Sequence, residues 1–404
     1  MHFPTEKKTF WLSVVIYFLF GTAFGVFTTA DVIAARTLGA GTLAITVLMF
    51  LLNASAIFSL PLTQWMGAGR RRRRALLLMG VTCTAPLFLY PLVPGVPAFI
   101  FAIFVVHLLN VILPPTMNLL FQRHFRPGQV GRLFGWATSS KILAGMLGAT
   151  LTGLLLDHDD QLYRELLVGG GLLTLLAMLL LSRMNFGPDP ALPVGPAKSL
   201  GRVIVETART VREVLDSDRE FYRFERNFII YGMGFLLLTP VLPIYFVKVL
   251  ELDYSTISLS RQVVGQAGLW LLSPLAGAWF DRSNAFHYTG WSFLTLVGFP
   301  LLLGCAALVP SPWAVPAVFA GYGVLSVAMT GISISWHIGS IRFAKTADPA
   351  IYQGIHVTLT GVRSLFGPIL GYVVMTLFGF AAAFALAGVF FTTAAVLMLR
   401  ERRG

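Results

Sequence analysis

Long apolar runs recur along the whole chain, and each is long enough to cross a membrane as a helix. Such a helix needs about twenty mainly apolar residues to span roughly 30 Å of hydrocarbon. The 404 residues are 56% hydrophobic and only 12% charged, whereas about a quarter of the residues in a soluble protein are charged. Because backbone polar groups in lipid must be satisfied inside the protein, the sequence predicts an all-α integral membrane protein.

Twelve segments have the length and composition of transmembrane helices. The predicted spans are 11–34, 42–65, 75–93, 97–121, 133–156, 163–182, 225–248, 257–280, 287–309, 313–338, 351–377 and 380–399. No small-residue cleavage site follows the first apolar run, so we expect it to be a first span rather than a signal peptide.

Positive charges concentrate in alternate loops. One set of loops carries most of them, including the run from Arg70 to Arg74, and the opposite set carries only Arg36, Arg164, Lys248 and Arg261. The positive-inside rule places the first set in the cytoplasm. We therefore expect a multi-pass protein of the cell (inner) membrane with both termini cytoplasmic. The net charge of +12 follows this loop pattern, so no nucleic-acid partner is expected.

A long connection separates six spans from the next six. It begins with the Pro/Gly-rich stretch NFGPDPALPVGP and continues as an amphipathic helical pattern. The predicted organisation is an N-terminal six-helix half at 1–182, a cytoplasmic linker with an amphipathic helix at 183–224, and a C-terminal six-helix half at 225–404. The linker helix could sense lipid or regulate the protein, or it could be an interfacial tether between the halves.

Weak internal similarities indicate that the two halves are repeats. FGTAF at 20–24 resembles YGMGF at 231–235, and Lys141 with a glycine four residues later resembles Arg363 with a glycine four residues later. The offset grows from the first pair to the second, as a duplication with small loop insertions requires. Two repeated halves with a site at their interface near mid-membrane are the plan of an alternating-access transporter.

The loops after the second and eighth spans resemble the signature loops of the major facilitator superfamily. LTQWMGAGRRRR has Met66 where the family has an acid, and GAWFDR keeps that acid as Asp281. The resemblance implies the fold of this family, with twelve transmembrane helices in two pseudo-symmetric halves. It also implies that Asp281 helps to latch the cytoplasmic side. As an alternative, the arginines are a topology signal that contacts anionic lipid. The residues assigned to the cytoplasmic gate are Gly69, Arg70, Arg71, Gly277, Asp281 and Arg282.

Two cations lie inside predicted spans. Lys141 is about 12 Å from the cytoplasmic edge and Arg363 about 18 Å, at 1.5 Å per residue. Both share a helical face with glycines, and such faces pack against other helices, so we expect both cations to point into the bundle. We expect no deep acid beside them. Three interpretations stay open: the cations bind an anion carried by the substrate, they pair with backbone carbonyls or distant acids, or they snorkel to the surface.

Other polar residues complete the predicted site. His107 and Asn110 could occupy the Arg and Gln positions of the RxxQG motif found in proton-coupled members of the family, with His107 either carrying a proton or only linking helices. Asp31, at the outer edge of the first span, could couple an ion, cap the helix or pair with Arg36. Glu225 is placed at the inner edge of the seventh span. The predicted cavity residues are Lys141, Arg363, His107, Asn110 and Tyr231, and the predicted ion-coupling residues are His107 and Asp31.

The motifs exclude several function classes. HExxH, GxSxG and paired deep carboxylates are missing, so no enzyme is expected, and the missing P-loop indicates secondary transport. No metal or other cofactor is expected.

The preferred hypothesis is a secondary active transporter that moves a small organic solute by alternating access, with an organic anion as the substrate class. The alternative is an efflux antiporter for multiple drugs or hydrophobic compounds, although the helix that would carry its GPxxGG motif reads GMLGATLTG. A transport-dead receptor or scaffold is a third possibility. The expected partners are the lipid bilayer, the substrate and a co-transported proton or other ion, and the expected assembly is a monomer.

Overall fold

A computed structural model describes residues 3–67, 69–186, 200–344 and 349–401, and within these ranges the secondary structure is helical with no β-strand. The first eight α-helices are α1 (Phe3–Phe27), α2 (Ala30–Arg36), α3 (Thr42–Ala54), α4 (Ser59–Met66), α5 (Gly69–Leu89), α6 (Val96–His124), α7 (Pro127–His158) and α8 (Tyr163–Ser182).

The remaining α-helices follow the Pro/Gly-rich stretch. They are α9 (Leu200–Ser217), α10 (Arg219–Lys248), α11 (Tyr254–Ser258), α12 (Gly265–Leu271), α13 (Ser273–Arg282), α14 (Ala285–Leu296), α15 (Gly298–Ala306), α16 (Ser311–Ile334), α17 (Pro349–Ser364) and α18 (Gly367–Arg400). Short 3-10 segments are Ser55–Phe58, Tyr90–Leu92, Asp160–Leu162 and Ser340–Phe343, and π-helical segments are Leu259–Val264 and Ser335–Gly339.

The apolar helices match the predicted spans. In the described ranges nine helical stretches are long and apolar enough to cross a membrane. Eight match one predicted span each, and the ninth, Ile351–Arg400, covers the last two, with Gly379 at φ +82° interrupting it. Thr42–Phe58 is a shorter apolar helix at the second span, and the eighth is broken by a 50° bend. The prediction of an all-α membrane protein is confirmed, and these stretches are consistent with twelve spans.

The chain divides into two compact units. The first comprises Met1–Asp189 and Leu242–Val263, and the second comprises Pro190–Val241 and Val264–Gly404. The division differs from the predicted halves at 242–263, which belongs with the N-terminal helices. The chain enters this segment between Pro240 and Pro243 of α10 and leaves it within the π-helical segment Leu259–Val264.

Glycines allow the closest helix packing in the first unit, where α1 lies along α7. A Cβ atom on Gly148 would be 2.5 Å from the carbonyl oxygen of Thr22, and one on Gly25 would be 2.6 Å from the amide nitrogen of Ala149. Real Cβ atoms do not approach so closely, so the two backbones pack at a distance that only glycine permits. In the second unit α14 packs against α16 and α18, and α15 packs against α16.

The 242–263 segment is fastened to α2 and α7 by polar contacts. The Asp157 carboxylate accepts hydrogen bonds from the amides of Tyr254 and Ser255 at 2.7 and 2.9 Å, and thereby caps α11 from another helix. Arg36 donates to the carbonyl oxygen of Leu252. These contacts satisfy backbone groups that a hydrocarbon environment would leave without partners.

A substitution at Gly148 tests the α1–α7 packing. We expect Gly148→Ala to lower stability by about 1–3 kcal/mol, the usual cost of overpacking. Gly135 lies on the same helix with open space around its missing Cβ, so Gly135→Ala should be neutral or stabilising because alanine favours the helix. Thermal unfolding in detergent compares them, and equal effects would contradict the packing argument.

The ion pair between Asp31 and Arg261 provides a second test. Its atoms lie 2.9 Å apart and the Asp31 side chain is 1% exposed, whereas the Arg36–Asp253 pair is 3.8 Å apart with side chains 36% and 68% exposed. Breaking a buried pair costs about 3–5 kcal/mol, and exposed pairs contribute roughly 0–1 kcal/mol. We therefore expect Asp31→Asn to lower the unfolding temperature far more than Asp253→Asn. A similar loss in both variants would contradict this ranking.

Candidate functional site

Lys141 lies on α7 and faces α1 and α6. Its Nζ atom donates a hydrogen bond to Oδ1 of Asn110 at 3.1 Å and lies 5.6 and 5.4 Å from the ring centres of Phe20 and Phe24. Among the described residues no carboxylate forms a salt bridge with it. The lysine does not snorkel away, because a neutral amide and two aromatic faces hold it inside the helices.

A small cavity adjoins this lysine. Its lining residues are Phe20, Phe24, Phe27, Val106, His107, Asn110 and Thr174. The His107 ring centre is 6.3 Å from that of Phe24, and the Thr174 hydroxyl is buried without a hydrogen-bond partner. The structure thus brings Lys141, Asn110 and His107 together around an otherwise apolar space. The cavity volume is about 10 Å³, room for about one water molecule, so a larger ligand could enter only if the surrounding helices moved apart.

Arg363 lies on α17 and is 9% exposed. Its Nη1 atom donates to the carbonyl oxygen of Phe228 on α10 at 2.6 Å, and its guanidinium carbon lies 5.6 Å from the ring centre of Tyr231. Its Nε atom is buried without a partner. Of the three interpretations left open by the sequence, this geometry matches pairing with a backbone carbonyl.

Each half builds the same contact around its cation. In the aligned segments FGTAF and YGMGF, Phe20 corresponds to Tyr231 and Gly21 to Gly232. Lys141 lies over the Phe20 ring and Arg363 over the Tyr231 ring. A Cβ atom on Gly21 would collide with the Lys141 backbone, and one on Gly232 would collide with the Arg363 guanidinium. Gly21 therefore makes room for the backbone of α7, Gly232 makes room for the Arg363 side chain, and in each half the preceding aromatic ring covers the cation.

Tyr231 is a core residue of the second unit. It is 3% exposed, stacks on Phe293 with ring centres 4.4 Å apart, and its hydroxyl lies 3.8 Å from the Met329 sulfur. This packing fixes the ring that lies beneath Arg363.

Glu225 and His356 form a buried pair that the sequence analysis did not anticipate. Both Glu225 carboxylate oxygens lie near Nδ1 of His356, at 2.9 and 3.0 Å, and the two side chains are 2% and 1% exposed. The expectation that no acid lies near the cations is wrong for Arg363, because the Glu225 carboxylate interacts electrostatically with it. The helix that carries Glu225 extends beyond the predicted span: α10 begins at Arg219, about 9 Å before Glu225.

The partner of Asp31 also differs from expectation. Nη1 of Arg261 donates to both carboxylate oxygens of Asp31, at 3.1 and 2.9 Å, and the amide of Val32 donates to the same carboxylate at 2.9 Å. Pairing with Arg36 is therefore wrong, since Arg36 bonds to Leu252 instead. Asp31 is not among the residues that line the cavity beside Lys141.

The predicted gate residues of the first unit begin α5. Gly69 is its first residue, and Arg70 and Arg71 are exposed. Further along the same run, Arg73 donates to the carbonyl oxygens of Ser182 and Arg183 at 3.0 and 2.8 Å. Arg73 thus caps the end of α8, where a cation interacts favourably with the helix dipole.

The corresponding gate residues of the second unit lie at the end of α13. Gly277 has open space around its missing Cβ, and Asp281 and Arg282 are exposed. Arg342 lies 3.8 Å from the Asp281 carboxylate and donates to the carbonyl oxygens of Phe280 and Ser283 at 2.8 and 2.6 Å. Arg342, which the motif did not indicate, is therefore the residue that connects Asp281 to the rest of the second unit.

Helical spacing in the sequence could have indicated some of the site residues that the motifs did not reveal. Glu225, Phe228 and Gly232 are three and seven residues apart and share one face of α10. His356 precedes Arg363 by seven residues on α17. Nothing in the sequence linked Asp31 to Arg261, because a pairing across 230 residues has no local signature. In the described ranges no group of three or more His, Cys, Asp or Glu side chains could hold a metal ion.

Solved structures show what this fold is similar to. A crystal structure of a mutant of the nucleoside transporter NupG aligns with a TM-score of 0.73 and 14% identity, covering 98% of this chain and all of the other. A bacterial homologue of the human lysosomal transporter Spinster, inward-facing and unoccupied, gives 0.66 and 15% with both chains fully covered. The human organic anion transporter MFSD10 gives 0.60 and 13%, covering 98% of this chain and all of the other.

These identities establish a common fold and nothing finer. No curated protein sequence matches the chain. The sequence model of the Major Facilitator Superfamily matches residues 10–347, which is most of the chain. The protein, a multi-pass membrane protein, belongs to the Major Facilitator Superfamily.

Proposed function

We propose that the protein is a secondary active transporter that moves a small organic anion by alternating access. Membership of the family and the transporter structures of the same fold support transport rather than enzymatic catalysis. The observation that carries the choice of an anion is Lys141. Its described hydrogen-bond partner is the neutral Asn110 amide, so its charge has no counter-charge until a ligand supplies one.

The two cations support the proposal unequally. Arg363 already bonds to a backbone carbonyl and interacts with the Glu225 carboxylate. The partners of the Lys141 ammonium among the described residues are the neutral Asn110 amide and the faces of two aromatic rings. A carboxylate or phosphate group beside Lys141 would therefore gain more than one beside Arg363. His107 and Thr174, which line the adjoining cavity, could hydrogen-bond the rest of the substrate.

The similar structures do not point to one substrate class. They include transporters of nucleosides and oligopeptides, a D-xylose–proton symporter and a human organic anion transporter. Because one fold accommodates all of these substrates, we infer the substrate class from the charged residues inside the helices. Aromatic rings around Lys141 favour an anion with an apolar body over inorganic phosphate.

We also propose where the protein lies in the cell and which residues form its gates. We place the protein in the cell (inner) membrane as a monomer with both termini cytoplasmic, following the loop charges. The exposed Asp281 and its neighbour Arg342 would act at the cytoplasmic side together with the arginine run of α5. On the opposite side, the contacts of Asp157, Asp31 and Arg36 with the 242–263 segment would have to break whenever that side opens.

A ligand screen tests the choice of an anion. Purified protein should gain thermal stability from some aromatic or aliphatic carboxylates, sulfonates or phosphates, because binding to the folded state alone raises its stability. Lys141→Gln should abolish the gain, and Arg363→Gln should reduce it. Differential scanning fluorimetry measures both shifts.

Lys248→Gln is the matched control, since it removes an exposed cation at the end of α10 and should leave the stabilisation unchanged. If only neutral or cationic hydrophobic compounds stabilise the protein and Lys141→Gln retains their effect, the anion hypothesis is wrong. Efflux of hydrophobic compounds then becomes the better hypothesis. If no solute of any class is bound or transported, the receptor or scaffold hypothesis replaces both.

Cysteine labelling tests the orientation. With Cys83 and Cys305 replaced by alanine, Gln161→Cys should react with a membrane-impermeant maleimide on intact cells, and Ser217→Cys should react only in inside-out vesicles. Both parent side chains are exposed, so access depends on the side of the membrane. The reverse pattern would place the termini outside and overturn the proposed topology.

A further inference from the structure

A cavity that the proposed function does not use lies in the second unit, between α13, α14 and α16. Its volume is about 250 Å³, far larger than that of the cavity beside Lys141. We propose that this groove binds one acyl chain of a membrane phospholipid, and that the Tyr288 hydroxyl donates a hydrogen bond to the ester carbonyl oxygen of that chain. The proposal does not depend on what the protein transports.

The groove begins at the break in the eighth predicted span. The helical stretches Tyr254–Leu271 and Ser273–Arg282 meet there at an angle of 50°. Both α13 and α14 pack against α16, so α16 forms the floor between them. The floor includes the small residues Ala328, Thr330 and Gly331, which leave room for a chain above them.

The mouth of the groove is apolar and exposed. Leu275 and Trp279 of α13 and Trp291 of α14 line it, and all three side chains are exposed. Exposed apolar side chains on membrane-spanning helices face hydrocarbon, and tryptophan is enriched where hydrocarbon meets the headgroups. An occupant of the groove therefore enters from the lipid.

The Tyr288 hydroxyl is a polar group in the groove that needs a partner. The Tyr288 side chain is fully buried, lines the groove, and its hydroxyl has no hydrogen-bond partner. Its ring packs against Trp279 and Phe280, with ring centres 4.7 and 5.0 Å away, which fixes the direction of the hydroxyl. A Cβ atom on Gly331 would lie 3.6 Å from the hydroxyl oxygen, so this glycine leaves space beside it.

The other hydroxyls of the groove have already used their protons. Ser292, Thr295 and Thr330 each donate to the carbonyl oxygen four residues earlier in their own helix, at 3.0, 3.0 and 2.8 Å. Of the hydroxyls that line the groove, the one with a free proton is that of Tyr288. It selects an occupant that carries an acceptor, and an ester carbonyl oxygen is one.

The depth of Tyr288 matches that of a lipid ester. Helix α14 begins at Ala285, so Tyr288 lies about 4.5 Å into it, near the boundary between hydrocarbon and headgroups, where ester groups lie. Thr295, also in the lining, is about 10 Å deeper, so a chain can run along the groove toward mid-membrane. One turn beyond Trp279 on the same face of α13, the exposed Arg282 complements the charge of a lipid phosphate.

Matched lipids test the hydrogen bond. Diester and diether phosphatidylglycerol with the same chains differ only in their carbonyl groups, and an ether oxygen is a weaker acceptor. Purified full-length protein in a maltoside detergent is mixed with equal amounts of both lipids, and native mass spectrometry measures which one stays bound. The protein should retain one diester lipid with a preference of up to about tenfold, which corresponds to about 1.4 kcal/mol for one hydrogen bond.

Tyr288→Phe should bring this preference to a ratio of one, because it removes the hydroxyl and keeps the ring. Tyr372→Phe is the matched control, since Tyr372 is a half-buried tyrosine of α18 outside the groove lining, and it should leave the preference unchanged. If the parent protein shows no preference for the diester, or if the preference survives Tyr288→Phe, the proposal is overturned.

Ala276→Trp tests where the chain lies. Ala276 lines the groove, so a larger side chain there would occupy it, whereas Ala278 is exposed on the same helix and lies outside the lining. Ala276→Trp should lose the retained lipid of either kind, and Ala278→Trp should keep it. Thr295→Trp, which fills the groove from α14, gives the same test if Ala276→Trp does not fold, and thermal unfolding shows whether each variant is folded.

The remaining outcomes also decide the proposal. Equal lipid retention by Ala276→Trp and Ala278→Trp would place the lipid outside the groove. Equal retention of diester and diether lipid, abolished by Ala276→Trp, would mean that the groove holds a chain without the hydrogen bond, and the role of Tyr288 would be wrong. None of these measurements uses a transported solute, so they leave the anion hypothesis to its own screen.

Discussion

The structure depends on one constraint: a charge placed inside a membrane-spanning helix must find its partner within the protein. Hydrocarbon offers none, and even partial dehydration of an ion costs several kcal/mol. Asp31 meets Arg261, Glu225 meets His356, and Arg363 meets a backbone carbonyl. Each partnership fixes a pair of elements: α2 with the π-helical segment Leu259–Val264, and α10 with α17. Lys141, with a neutral partner, departs from this rule, and a departure from local consistency is where function is expected.

The two halves place a glycine and an aromatic ring beside the cation in the same way, but they differ in the charged groups around it. Gly21 in α1 makes room for the backbone of α7 and Gly232 in α10 makes room for the Arg363 guanidinium, and the aromatic residue before each glycine covers the cation. Around these contacts, the N-terminal half has an amide and an imidazole, whereas the C-terminal half has a carboxylate and an imidazole. The divergence leaves one half with an uncompensated cation and gives the other an internal counter-charge.

Local signals in the sequence predicted much of this arrangement. Apolar run length predicted the spans. The repeated segments predicted that Lys141 and Arg363 hold equivalent places. Both kinds of signal are local, because each is carried by residues that lie close together in the sequence. The Glu225–His356 pair was not predicted because it joins residues 131 positions apart. The link from Asp31 to Arg261 escaped for the same reason. Predicting partners needs the packing of helices, which span length alone does not supply.

The membership of residues 242–263 in the first unit bears on how the protein is made. A chain released from the ribosome up to the linker would contain the first six spans but not the Tyr254–Ser258 turn that Asp157 caps, and the surface of α7 at Gly153 that approaches this turn would face lipid. The first unit is complete only when synthesis has passed residue 263. The helices that pack against this segment therefore gain these contacts only after the linker has been synthesised.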